Sequence, residues 1–355
     1  MLDCGFSVRQ SSAQRGRTKA FDSGPAGRSL CAFSIITDEL ARVRSLIERE
    51  LSDCSEPVRG LAAYVGSSRG KMVRPGLVLL SGLACGKVTE KHIRAAAIVE
   101  MIHNATLLHD DVVDEGKSRR GVPTLNSLEG NESAVLLGDF VLSRVFRMCM
   151  GLGRRAAEVI ASSAARTCEG ELRQIAQRGN WRLSESEYIE IIAEKTAAMF
   201  SGACELGAML AGAGKPQVQM LADYGRKTGI AFQITDDLLD LTGDQDKTGK
   251  SVGSDLDRNK LTLPLIHFLQ VADEEDKGGA RGLLCCDGSG RTKKPATQGR
   301  SALVKKLKRY GSLAYAQRRA EELAEEAMGA IAKLKDSDAK LALIETARFV
   351  VRRTA

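Results

Sequence analysis

Two segments of the chain carry aspartates in the same pattern. His109-Asp110-Asp111-Val112-Val113-Asp114 closes one long apolar run, and Asp236-Asp237-Leu238-Leu239-Asp240 lies in another. Each reads DDxxD. On a helix the first and last aspartates fall four positions apart, on one face and one turn from each other. Carboxylates so placed repel, and apolar surroundings add a desolvation cost because burial disfavours the charged form. A divalent cation removes both penalties. An all-carboxylate ligand set selects a hard ion, and Mg²⁺ is the one that keeps several waters and bridges to the phosphates of a substrate. Asp110, Asp111, Asp114, Asp236, Asp237 and Asp240 are therefore the candidate metal ligands.

Acids that hold a metal against phosphate need cations beside them, and the sequence supplies these. Gly70-Lys71-Met72-Val73-Arg74-Pro75 opens a helix with Lys71 and Arg74. Arg119 and Arg120 follow the first cluster in a turn-forming stretch that ends Gly121-Val122-Pro123-Thr124. Lys195 and Thr196 stand in the largely apolar run 189–210, Gln233 precedes the second cluster by one turn, and Lys250 and Lys260 follow it in a Gly-rich loop. His103, seven residues before Asp110, shares its face of the helix. Arginine offers phosphate a planar fork of donors and lysine a compact charge. Taken singly each is an ordinary surface residue, but Lys195 is set apart by its apolar neighbours.

Helices must carry these groups. From Ile35 onward apolar residues recur at three- and four-residue steps, and Ala, Leu, Glu, Lys and Arg dominate. The pattern predicts helices over about 36–51, 57–66, 73–85, 90–115, 132–150, 154–178, 185–212, 217–242, 260–272, 301–309, 312–334 and 337–352. Ser184 with Glu187 makes a capping box for the helix starting near 185. With no strand pattern of useful length, the chain reads as all-α, a bundle of long helices. Residues 1–34, with Arg9, Arg15, Arg17, Lys19 and Arg28 against Asp3 and Asp22, read as a basic disordered arm, and 35–355 as a single helical domain. An organellar transit peptide has a similar composition, although a plain disordered terminus is the commoner explanation. Residues 273–300, rich in glycine and charge, read as a mobile surface loop with Cys285 and Cys286 as incidental thiols.

Composition narrows the function classes. Hydrophobic residues make up 43% and charged residues 27%, a globular balance. No apolar run is long enough to cross a bilayer, so membrane contact is at most peripheral. The net charge of +7 suits nucleic acid, anionic lipid or phosphorylated substrates alike. The lack of zinc-finger spacing and of an RNA-reading aromatic cluster turns the reading away from nucleic acid. The nine cysteines are scattered, none in a CxxC pair, as expected of free thiols in a reducing, cytoplasmic setting. His92, His103, His109 and His267 are too dispersed for a His/Cys zinc site.

These residues resemble the trans-isoprenyl diphosphate synthases, also called polyprenyl synthetases, and within them the long-chain octaprenyl and solanesyl type. GKMVRP, IHNATLLHDDVVDEGKSRRGVPT, EKT, FQITDDLLD and GSDLDRNKLTLP occur in that family's order and spacing, and the match runs over about 36–272 and 301–352. The resemblance implies an isoprenoid synthase fold, long helices around a deep central cavity, in a homodimer. It implies three Mg²⁺ ions bound with diphosphate, with Asp110, Asp111 and Asp114 as the first ligand set and Asp236, Asp237 and Asp240 as the second. Lys71, Arg74, His103 and Arg120 are similar to the family's pocket for isopentenyl diphosphate. Arg119, Lys195, Thr196, Gln233, Lys250 and Lys260 are similar to its clamp on the allylic diphosphate. Asp110, Asp114, Asp236 and Lys195 would then be the catalytic core of an ionisation–condensation–elimination reaction. The chain departs from the family where Arg258-Asn259 stands before Lys260 in place of the frequent Glu-Gly.

Product length follows from the residues four and five before the first aspartate, which form the cavity floor in the family. Short-chain members tend to carry a bulky aromatic there. Thr106 and Ala105 are both small, which predicts a medium to long product of roughly six to ten isoprene units. The alternatives are a short-chain farnesyl or geranylgeranyl diphosphate synthase and an inactive regulatory subunit of a heteromeric synthase. A terpene cyclase is disfavoured by the second DDxxD and by GKMVRP.

Overall fold

The computed structural model describes residues 32–67, 70–119, 121–243, 253–284 and 297–352. Arg120, Lys250, the Cys285–Cys286 pair and residues 1–31 of the expected arm lie outside the described residues. The chain runs through α1 (Thr37–Ser52), α2 (Glu56–Ser67), α3 (Val73–Cys85) and α4 (Glu90–Val113). A short antiparallel hairpin follows, β1 (Ser118–Arg119) on β2 (Val122–Pro123), with Arg119 opposite Val122. Then come α5 (Leu125–Cys149), α6 (Arg154–Ala176), α7 (Glu185–Ile192), a π-helical turn at Ala193–Ala197, α8 (Ala198–Leu210) and α9 (Lys215–Thr242). The remainder is α10 (Ser254–Asp257), α11 (Leu263–Val271), α12 (Glu274–Leu284), α13 (Thr297–Arg309), α14 (Ser312–Ala330) and α15 (Asp338–Arg352). The fold is all-α, as the periodicity predicts.

Sequence-encoded stops and starts are visible in the structure. Ser184 caps α7 reciprocally: Glu187 N donates to its hydroxyl (3.2 Å) while the Glu187 carboxylate accepts from Ser184 N (2.8 Å). α4 packs on α5, α3 on α8, and α9 on both α8 and α14, so α4 and α9 run through the middle of the molecule. Leu77, Ile98, Met101, Val141 and Leu206 anchor one core cluster, and Ile192, Ile234, Leu263, Phe268 and Ala320 anchor another around the lower half of α9. Each such fully buried aliphatic or aromatic side chain stabilises the fold by about 1.5–3 kcal/mol.

Three local features differ from the sequence pattern. The stretch 273–300 is not one loop: Glu274–Leu284 is helical and α13 begins at Thr297. Ala280 is fully buried there, and Asp276 pairs with Lys306 at 2.6 Å and accepts from Tyr310 Oη at 2.9 Å. These contacts with α13 and with Tyr310 just beyond it outweigh the poor helix propensity of Gly278 and Gly279. α5 begins at Leu125, earlier than expected, and bends at Gly130, whose φ of 85° interrupts the helical backbone. The predicted helix over 185–212 is split by the π-turn.

Candidate functional site

Both acidic segments occupy the C-terminal ends of the central helices. α4 runs out at Asp114, and Glu115 turns the chain with a left-handed φ of 49°. The hairpin then brings Arg119 back onto the helix end. Its guanidinium donates to Asp111 Oδ1 from Nε (3.0 Å) and Nη2 (2.8 Å), and Asn126 holds the Asp111 carbonyl (3.1 Å). Asp111 is buried and fully engaged by this pair. Asp114 meets Arg178 (3.2 Å), Arg258 (3.3 Å) and, more distantly, Lys260 (4.0 Å).

The π-turn carries Lys195, whose charge acts on Asp110. A π-turn inserts an extra residue into the helical ladder and re-aims the side chains around it. α6 presses directly on this turn at Gly170, where any Cβ would stand 2.2 Å from Lys195 N. Lys195 Nζ pairs with Glu171 and donates to Gln174 Oε1 (2.7 Å). Burial works against its charge, but Glu171 and Asp110 outweigh burial and hold the ammonium above its ordinary pKa. Burial likewise pushes Asp110 up to about 6, with Glu171 and Asp114 adding to it and Lys195 opposing.

The second segment is tied to the same turn. Thr196 Oγ1 donates to Gln233 Oε1 (2.6 Å), Gln233 Nε2 donates to Asp237 Oδ1 (2.7 Å), and Tyr188 Oη donates to Asp237 Oδ2 (2.6 Å). Both Asp237 oxygens are thus taken by neutral donors in a buried place. Its carboxyl is pushed up to about 8, by burial first and then by Asp255 and Asp236, against the two hydrogen bonds. Asp240, half-buried, accepts from Asp255 N (3.0 Å) on the turn that leads to Lys260. Lys260 stands between Asp114 and Asp255, 3.7 Å from the latter. The two acidic segments are therefore linked by contacts along Asp114–Lys260–Asp255–Asp240, and by charge from Asp110 to Lys195, whose neighbour Thr196 leads through Gln233 to Asp237.

The remaining expected residues collect on the aromatic side of the bundle. Lys71 lies over the Phe349 ring (5.5 Å) and Arg74 over Phe200 (5.0 Å), which contacts Phe232 next to Gln233 (5.2 Å). Lys71, Phe33, Val73, Phe232 and Phe349 line a small apolar cavity. His103 is half-buried on α4, and its carbonyl accepts from Thr106 Oγ1 (2.8 Å). Ala105 has no accessible surface and belongs to the packed core, whereas Thr106, one turn before Asp110, is partly open. Sequence reasoning missed Glu171, Gln174, Arg178, Tyr188 and Asp255, and it noticed Arg258 only as a departure. Glu171, Gln174, Arg178 and Tyr188 reach the site from elements whose own pattern is unremarkable, whereas Asp255 and Arg258 stand in the GSDLDRNKLTLP stretch.

Among the described residues no three His, Cys, Asp or Glu groups converge closely enough to hold an ion by themselves. Mg²⁺ usually takes one or two carboxylates and completes its shell with water and substrate phosphate. The chemistry of the donors fits such an ion. Asp110, Asp114, Asp236 and Asp240 are half-buried carboxylates at the ends of α4 and α9, with protein cations beside the first cluster.

The chain is thus a helical bundle whose two central helices end in acids with lysines and arginines beside them. The chain belongs to the polyprenyl synthetase family, whose family model matches residues 55–294. It is 36% identical over 321 residues to the octaprenyl diphosphate synthase of Escherichia coli (strain K12), spanning 90% of this chain and 97% of that one. The fold is similar to a decaprenyl diphosphate synthase structure from Rhodobacter capsulatus, with a TM-score of 0.83 at 35% identity over 91% of this chain and 98% of that one. It is also similar to a polyprenyl synthase from Caulobacter crescentus CB15 complexed with calcium and isoprenyl diphosphate, with a TM-score of 0.86 at 30% identity over 95% and 100% of the two chains.

Proposed function

We propose that the protein is a Mg²⁺-dependent trans-polyprenyl diphosphate synthase that adds isopentenyl diphosphate to an allylic prenyl diphosphate and makes a medium- to long-chain product. The observation that carries this reading is the joining of the two acidic segments through Lys195 and Lys260 into one site. Asp110 and Asp114 with Asp236 and Asp240 would hold the ions. When bound, these supply the positive charge that makes diphosphate a good leaving group. Asp111 and Asp237 act differently: Arg119 occupies the one, and Tyr188 with Gln233 the other, so both are positioning residues.

The chain's own groups do the rest. Arg119, Lys195 and Lys260 stabilise the allylic diphosphate as negative charge grows on it, in a site already shaped for that charge. Thr196 and Gln233 fix the π-turn that aims Lys195. Arg120 and Lys250 join these groups on the strength of the resemblance alone. Lys71, Arg74 and His103 orient isopentenyl diphosphate beside the Phe200–Phe232 pair, which keeps water from the reacting carbons. The allylic C–O bond breaks with its electron pair on diphosphate, the double bond of isopentenyl diphosphate attacks the resulting cation, and proton loss restores an alkene.

The partly open, small Thr106 supports the longer product, in keeping with the names of the octaprenyl and decaprenyl relatives. Exposed Val135, Leu136 and Phe146 on α5 with Met150 just beyond it support a homodimer through that face. No helix among the described residues is long and apolar enough to cross a membrane. Five described cysteines are free thiols, which supports a cytoplasmic setting. The test is incubation of the purified chain alone with labelled isopentenyl diphosphate, Mg²⁺ and a farnesyl or geranylgeranyl primer. A long polyprenyl product is expected. A product that stops at farnesyl length favours the short-chain alternative, and activity only with a second subunit favours the heteromeric one.

A further inference from the structure

Asp114 is engaged by more positive charge than one carboxylate needs. Arg178 Nη2 sits 3.2 Å from Oδ1, Arg258 Nη1 3.3 Å from Oδ2, and Lys260 Nζ 4.0 Å from Oδ2, while Arg258 Nη2 also donates to the Asp114 carbonyl (3.1 Å). Asp255, 3.7 Å from Lys260, is the other acid of this group. Arg178 Nε is buried and makes no hydrogen bond, so its fork is only partly used. The two arginines come from distant parts of the chain, one just after α6 and one just after α10. The turns that carry them are fastened together, since Gly179 N donates to Asn259 O (2.9 Å) and both of those residues adopt left-handed backbone (φ 73° and 53°). Such a stitched pair of turns presents two guanidiniums at one fixed point beside the first acidic segment.

We infer that Arg178 and Arg258 are additional diphosphate-binding residues of this site, which hold Asp114 until a metal-bound diphosphate arrives and then turn their donors to its oxygens. The inference rests on the function proposed above. A carboxylate that ligates a divalent ion has less charge to share with arginines, and a diphosphate arriving with that ion presents acceptors matched to a guanidinium fork. Lys260 alone would give a compact charge without that bidentate geometry. Tight retention of diphosphate, rather than of the isopentenyl group, is the property these residues would confer.

The experiment is calorimetric titration of inorganic pyrophosphate into the full-length protein at fixed Mg²⁺, for wild type, Arg178→Ala, Arg258→Ala and Arg258→Lys. Each alanine variant is expected to raise Kd about tenfold or more and to flatten its dependence on salt, with Arg258→Lys in between. In steady state KM for the allylic substrate should rise in step, while KM for isopentenyl diphosphate stays within about twofold. An unchanged Kd in a folded Arg258→Ala protein would overturn the inference, because the arginines would then only tie two turns together. A tighter Kd would also overturn it, by showing that they merely compete with metal for Asp114. If Arg178→Ala does not fold, the Arg258 pair of variants decides the matter. Failure of the wild type to bind pyrophosphate with Mg²⁺ or to elongate a primer would instead sink the proposed function itself.

Discussion

At the scale of single residues, the six aspartates have unlike surroundings. Asp236 and Asp240 are half-buried in a second segment whose middle acid, Asp237, is sealed by Tyr188 and Gln233. Asp236→Asn is expected to lower kcat/KM on the order of 10³-fold, the size of effect seen when a group that stabilises developing charge is lost. Asp237→Asn should cost only about tenfold to a hundredfold, as for a residue that orients ligands. Equal losses in steady-state assays would remove the distinction. Asp110 gives a second prediction at this scale. Its carboxyl, pushed up to about 6 in the folded chain, titrates near 4 when unfolded. The native state therefore binds more protons between those values, so the stabilisation is complete below about pH 4 and is lost as pH rises through about 6. In chelator-treated protein this amounts to about 3 kcal/mol, and denaturant melts of Asp110→Asn should lack that part of the pH slope.

At the scale of elements, the π-turn and the floor of α4 are the sensitive points. Gly170 allows α6 to touch the backbone at Lys195, where a methyl group has no room. Gly170→Ala must push the π-turn away and with it the Lys195 ammonium. A stability loss of about 1–3 kcal/mol in melts is expected, together with a fall in kcat larger than the change in KM for isopentenyl diphosphate. The structure also redirects the product-length experiment. Ala105 is sealed in the core, so Ala105→Phe would overpack it and confuse unfolding with shortening. Thr106→Phe, on the partly open face one turn before Asp110, is the clean variant. It should shift the product toward shorter chains with little loss of Tm, and chromatography of the dephosphorylated product reads the outcome.

At the scale of the whole molecule, the two core clusters meet along α9, and α5 with its end carries the most exposed apolar side chains. Leu136 is 67%, Phe146 70% and Met150 80% exposed, all near one stripe of α5 and its end. A patch of this kind on an otherwise charged surface marks an interaction site, and two-fold pairing of α5 faces would bury it. Phe146→Glu with Leu136→Glu is expected to turn a dimer into a monomer by light scattering. A wild type that elutes as a monomer at micromolar concentration would refute the pairing.

By itself the sequence determined the helical class, the caps, and the two DDxxD segments with their attendant cations, because those depend on periodicity and on spacing within a single helix. It could not determine which acids other side chains seal, since Arg119 and Tyr188 reach Asp111 and Asp237 from different elements. The helix at Glu274–Leu284 was illegible for a related reason: its glycines argue for a loop, and only burial of Ala280 and the Lys306–Asp276 pair overrule them. The same holds for Lys195, whose aim depends on a glycine of α6 that lies twenty-five positions away along the chain. Local pattern fixes what an element is. Which of its side chains act is settled by charge and burial contributed from elsewhere, and those exist only once the chain has packed.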